Sequence, residues 1–221
     1  MVFLLSSRTM KLLCAAVLLT AVFWKYGCCQ RSYMDIPEAE RNKIENTSQL
    51  LNGTTRLLLF LGVNGAMRND KRICWTSVKS DNTTPTFHHY IYFFETKNKE
   101  SAKIGLGIQR NRRCDYGVGP KNGTPTVLLE AYDGRTLDKD LSGDYYIFGA
   151  NPNCFVMGIV SNTKTQHDSK CLYWIKEGTV RRNQSEYDEA FLAKCSSVTG
   201  QIYFLPEYRT ICNFTNDKPR N

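Results

Sequence analysis

The sequence predicts an all-β fold: an eight-stranded antiparallel up-and-down barrel, entered through an N-terminal helical segment and followed by one flanking helix. Three observations predict it. Short apolar runs recur about every 10–18 residues from Thr55 onward, separated by turn chemistry such as Asn64-Gly65, Asp81-Asn82 and Asp133-Gly134. Ala102, Ile104, Leu106 and Ile108 alternate with Lys103, Gly105, Gly107 and Gln109, the period of a half-buried strand. Past Ser185 the period changes, and Tyr187, Ala190, Phe191, Lys194 and Cys195 fall on one helical face. On pattern alone the strands suit a sandwich or a barrel. Eight strands suffice to close a barrel around one small ligand, and closure removes exposed sheet edges.

The elements follow in order. Arg8 and Lys11 precede the apolar run 12–24, and small residues follow at Gly27-Cys28-Cys29. Residues 1–29 therefore read as a secretory signal peptide, cleaved near Cys29 and Gln30, with the barrel domain over 30–221. No later stretch approaches about 18 apolar residues, so no membrane segment is expected after cleavage. Residues 35–50 are polar and mildly helical, with Pro37 near the start. Strands are expected at 55–63, 72–79, 87–95, 102–110, 126–132, 144–149, 154–160 and 171–176. The 87–95 run is greasy on both faces, with Phe87, His89, Ile91 and Phe93 on one and His88, Tyr90, Tyr92 and Phe94 on the other. That suits a strand lining a core or cavity and covered on its other side. The helix over 184–197 opens on Ser185-Glu186-Tyr187-Asp188, which resembles a capping box. It is expected to pack outside the sheet, and residues 202–214 to form an extended tail.

The chain has 221 residues, a formal charge of +8, and is 42% hydrophobic and 23% charged, the composition of an ordinary globular domain. Loss of residues 1–29 removes Arg8, Lys11 and Lys25 and lowers the charge to +5. Cys74, Cys114, Cys154, Cys171, Cys195 and Cys212 remain. An even set in a secreted chain implies three disulfides, whose connectivity the spacing leaves open. The absence of any Cys-x-x-Cys pair argues against a metal site. Asn46, Asn52, Asn82, Asn122, Asn183 and Asn213 each open a glycosylation sequon.

These residues resemble the tick salivary lipocalins, the group that includes the histamine-binding proteins. Ile73-Cys74-Trp75, Asn153-Cys154-Phe155-Val156 and Cys171-Leu172-Tyr173-Trp174 are similar to that family's cysteine-bearing strands. Phe191 with Cys195 resembles its late helix, and Cys212 its terminal cysteine. The order and spacing of these motifs carry the likeness over roughly residues 35–214. The Gly-x-Trp signature of classical lipocalins is absent. The resemblance implies a ligand-holding calyx with bridges Cys74–Cys212 and Cys154–Cys195, which leaves Cys114 with Cys171.

The resemblance also implies a ligand class. Amine-binding members place acids inside the barrel, because a buried ammonium needs a counter-charge. Phe155 and Leu172 stand at two of those positions, Trp174 is retained, and Asp144 lies near a third acid. The expected pocket residues are Tyr90, Phe93, Ile104, Leu106, Ile108, Arg110, Phe155, Met157, Leu172 and Trp174. A guanidinium at the rim, Arg110 with Arg112, Arg113 and Arg56 nearby, suits a fatty acid or eicosanoid carboxylate. The expected function is secreted, non-catalytic capture of a small hydrophobic host mediator. Amine capture, or binding of a host plasma protein through loops 110–122 and 161–170, is the alternative.

No cofactor is expected. Catalysis finds no support: His88 and His89 are adjacent in a strand and cannot converge, and His167 lies in a polar loop. Neither Gly-x-Ser-x-Gly nor His-Glu-x-x-His occurs. The modest charge, without an aromatic-basic face, argues against nucleic acid.

Overall fold

The computed structural model describes residues 33–67, 71–81, 85–97, 107–160, 169–179 and 185–212. The chain opens with helix α1 (Glu38–Asn52), entered at Pro37 and carrying Glu38 and Glu40 in its first turn, where the helix dipole favours acids. The strands are β1 (Leu57–Val63), β2 (Arg72–Lys79), β3 (Phe87–Glu95), β4 (Ile108–Lys121), β5 (Thr124–Asp133), β6 (Thr136–Leu137), β7 (Gly143–Asn151), β8 (Cys154–Ile159) and β9 (Lys170–Lys176). Helix α2 (Ser185–Cys195), strand β10 (Ile202–Phe204) and helix α3 (Leu205–Cys212) complete the order.

Each long strand pairs antiparallel with its neighbour, and β9 returns to β1, so eight strands close into a barrel. The two-residue β6 extends β5, and β10 pairs with the end of β1. The β4–β5 hairpin turns through Asn122 and Gly123, both with positive φ, the conformation that a two-residue hairpin demands.

Helix α1 lies across one end. Ile44, Thr47, Leu50 and Leu51 are buried, and α1 packs against β4, β5, β7 and β8. Asn46 Nδ2 donates to the Ala150 carbonyl and Lys79 Nζ to Asn52. Helix α2 covers the outside of β7–β9, where Phe191 stacks on Tyr173.

Three expectations change. The alternating run ending at Arg110 is the start of a strand: β4 runs on to Lys121, in unbroken register with β3 from Glu95↔Ile108 to Phe87↔Tyr116. Residues 102–106 of the expected strand lie outside the described residues, and most of the expected 110–122 loop is strand. The expected extended tail is strand only over Ile202–Phe204 and then coils into α3. Pro206 there sits in the first turn, where its missing N–H costs nothing.

The third change is in the bridges. Cys74 bonds Cys212, but Cys195 bonds Cys171, not Cys154, and Cys114 and Cys154 are buried thiols. The register explains this. Cys154 lies opposite Ile175 and Cys171 opposite Gly158, at the two ends of the β8–β9 ladder. With Phe191 seated on Tyr173, the last turn of α2 reaches the Cys171 end. A Cys114–Cys171 bridge is excluded because Cys114 shares the barrel-facing parity of Tyr116, whereas Cys171 lies under α2.

Candidate functional site

The site is built from the inward face of the barrel. On β8 and β9, Tyr173 lies beneath α2, so its neighbours Leu172 and Trp174 point the other way, into the barrel. Their register partners are Met157 and Phe155. All four are buried, and Phe155 and Trp174 are among the largest fully buried side chains. Trp174 Nε1 has no hydrogen-bond partner. An indole N–H is a donor only, so this group is ready for an acceptor that the described residues do not supply.

Across the barrel, Phe93 is buried and stacks on Trp75, with ring centroids 4.5 Å apart. Two guanidinium groups lie near the Phe93 ring, Arg72 at 5.0 Å and Arg112 at 5.3 Å from its centroid. Arg112 is buried by inward parity on β4. Its Nε donates to Asp138 at 2.9 Å, Nη1 to the Asn111 carbonyl, and Nη2 pairs with Asp133 at 3.0 Å. Arg72 lies 3.8 Å from the same Asp138 carboxylate. Both carboxylates come from the chain at and beyond the end of β5, so a turn distant in sequence neutralises a charge on β4. Nearby, Lys170 Nζ donates to the carbonyls of Lys139, Asp140 and Ser142.

Toward α1 the interior carries a polar cluster. His89 Nε2 donates to the Leu51 carbonyl at 2.8 Å, which leaves Nδ1 to accept from Ser77 Oγ at 2.9 Å. Tyr116 OH lies 3.4 Å from Ser77 Oγ. Burial pushes His89 down to about 4, against the pull of the Leu51 carbonyl, with Lys79 and His88 adding to the fall. The imidazole is therefore neutral near pH 7. Burial also raises the Cys114 thiol and the Tyr116 and Tyr145 hydroxyls. The Ser77–His89 contact has the atoms of a hydrolytic pair but not its setting. Both residues are buried, and the second imidazole nitrogen meets a carbonyl that ties down α1, where a hydrolase places an orienting carboxylate.

The expected pocket residues separate. Phe93, Phe155, Met157, Leu172 and Trp174 converge on the interior. Tyr90 does not: it is 37% exposed on the outer face beside Tyr92, because parity turns His89 and Ile91 inward. Ile108 and Arg110 have inward parity but lie beyond the end of β5, which pairs with β4 only up to Arg113↔Tyr132. Ile108 is accordingly 60% exposed, and Arg110 reaches Glu95 across β3. Ile104 and Leu106 lie outside the described residues. Asp144 is exposed and paired with Lys121, so it is not an interior acid. The buried arginine is Arg112.

No family model and no curated protein matches the chain. Among solved structures, Japanin from Rhipicephalus appendiculatus bound to cholesterol is similar at a TM-score of 0.47 and 12% identity, covering 69% of this chain and 92% of that one. No helix of the described residues is long and apolar enough to cross a membrane.

Proposed function

We propose that this protein is a secreted, non-catalytic binder that captures a small hydrophobic mediator within its barrel. It prefers an amphipathic carboxylate, such as a fatty acid or eicosanoid, to a biogenic amine. Its resemblance to the tick salivary lipocalins supports a place in saliva, where capture damps host inflammatory or haemostatic responses. The leader-like N-terminus and the sequons support secretion.

The observation that carries the reading is the composition of the inward face. Phe155, Met157, Leu172 and Trp174 stand together there, with an unpartnered indole N–H among them. The positions that would carry a counter-charge for an ammonium hold Phe155 and Leu172. The carboxylates that do approach the interior, Asp133 and Asp138, are already neutralised by Arg112 and Arg72. Asp133 is 67% exposed and grips only one arm of Arg112. A ligand carboxylate replaces it there at small cost, because a solvated ion pair contributes little.

The test is displacement of a dansylated fatty acid by a free fatty acid, its methyl ester and histamine. Micromolar binding of the acid is expected, with the ester about tenfold weaker, since one charge-assisted hydrogen bond contributes about 1.5–3 kcal/mol. Arg112→Met should erase the difference between acid and ester. Trp174→Phe should weaken both. No binding of acid or ester at micromolar concentration, or tighter binding of histamine, overturns the proposal.

A further inference from the structure

The charges at the two ends of the barrel are arranged differently. At the α1 end Arg56 pairs with Glu177, Lys121 with Asp144 and Lys43 with Glu40, while Lys79 is held by Asn52 and Arg41 by the Met34 carbonyl. At the opposite rim, Lys71, Lys97, Arg135 and Lys139 are all exposed, and among the described residues none takes part in an ion pair. Of the rim carboxylates among the described residues, Glu95 is taken up by Arg110 and Asp133 and Asp138 by Arg112, which leaves Asp140. Among the described residues the rim therefore carries a net excess of positive charge.

The same rim exposes two large aliphatic side chains. Ile108 opens β4 opposite Glu95 and is 60% exposed, and Leu137 on β6 is 40% exposed. The local topology groups these residues. Lys71 and Lys97 flank the β2–β3 ends, where Thr96 N–H and Oγ1 both donate to the Lys71 carbonyl. Arg135 and Lys139 bracket β6, which pairs with the end of β5 through Tyr132↔Leu137.

We propose that this rim docks peripherally on an anionic lipid bilayer, with these four exposed cations over the headgroups and Ile108 and Leu137 dipping into the interface. Cations near an anionic surface and aliphatic tips inserted beside them are the two terms of interfacial binding. A sulfated polysaccharide would use the cations alone and leave the aliphatic side chains without a role, so the bilayer is the partner the pair of features fits. That no helix of the described residues is long and apolar enough to cross a membrane bears on spanning, not on this contact. Docking itself stands apart from the ligand reading. Only its consequence rests on that reading: a barrel held rim-down takes an apolar ligand out of the lipid without passing it through bulk water.

Vesicle co-sedimentation tests the inference on the whole secreted chain. Vesicles of phosphatidylcholine with about a third phosphatidylserine should bind the protein, and pure phosphatidylcholine should not. Arg135→Gln with Lys139→Gln should lower partitioning by about 30-fold. Ile108→Ser with Leu137→Ser should lower it about tenfold or more. Each variant is checked for an unchanged melting temperature. Absence of binding to the anionic vesicles overturns the inference. So does wild-type partitioning by the serine variant, which would mark the rim as a general polyanion site, and competition by heparin with that variant would confirm it. Dansyl fatty-acid binding without vesicles is the separating control. The Arg135/Lys139 variant should keep it, so loss of docking and failure of ligand capture are read independently.

Discussion

His89 shows how one residue couples the barrel floor to helix α1. Its ring sits between Ser77 Oγ and the Leu51 carbonyl, and only the neutral imidazole can accept from Ser77 while donating to Leu51. Burial holds the folded-state value at about 4, below the usual histidine value of 6.5. The unfolded chain thus binds a proton more readily over that window, and stability falls as pH drops from 6.5 to about 4. Above 6.5 the contribution is complete; below about 4 both states are protonated and the slope ends. The loss amounts to about 3 kcal/mol at most. Urea unfolding at stepped pH should show this slope, and His89→Gln should flatten it at the cost of lower stability near pH 7. An unchanged slope in that variant would assign the acid sensitivity to other groups.

At the scale of elements, one close approach helps to seat β10 beside β1. Asn64, itself at φ 55°, donates its backbone N–H to the Gln201 carbonyl and its Nδ2 to the Ser169 and Thr199 carbonyls. A Cβ on Gly200 would fall 1.6 Å from Asn64 Oδ1, and Gly200 has φ 150°. Gly200→Ala must therefore expel the Asn64 amide and orphan its bonds. The expected cost is about 2 kcal/mol or more, seen as a lower melting temperature with faster hydrogen exchange at Ile202–Phe204. Wild-type stability would mean that β10 seats by another route.

Elements also mark how far the sequence was legible. The strand over 87–95 was readable because aromatic and β-branched residues fill both its faces. The inward set Phe155, Met157, Leu172 and Trp174 was readable because alternation survives on β8 and β9. The full length of β4 was hidden because its inward positions are Arg112, Cys114 and Tyr116, and its outward face carries Gly117 and Gly119. Hydropathy scores that run as a loop, and the compensation for Arg112 comes from Asp133 and Asp138, which no local pattern reveals. The partner of Cys195 was likewise out of reach. It depends on where along the β8–β9 ladder α2 comes to rest, a packing offset set by Phe191 on Tyr173.

For the whole molecule, the two bridges play different parts. Cys74–Cys212 joins positions 138 residues apart and ties α3, and through it β10, to β2. Cys171–Cys195 closes 24 residues and fastens α2 to the adjoining strand. On the chain-entropy account the long loop contributes about 5 kcal/mol and the short one about 3.5 kcal/mol. The packing that each bridge secures differs as well. Releasing α3 frees the stacked Tyr203–Tyr208 pair and the strand that β1 uses beyond β2, whereas releasing α2 still leaves Phe191 on Tyr173. Removing Cys74 with Cys212 by alanine substitution should therefore cost more stability than removing Cys171 with Cys195. It should also release β10 before the barrel unfolds, read as loss of exchange protection over 202–212 while β3–β5 stay protected. Equal costs, or loss of protection throughout the barrel at once, would show that the tail is part of the barrel's cooperative core and not a strap across it.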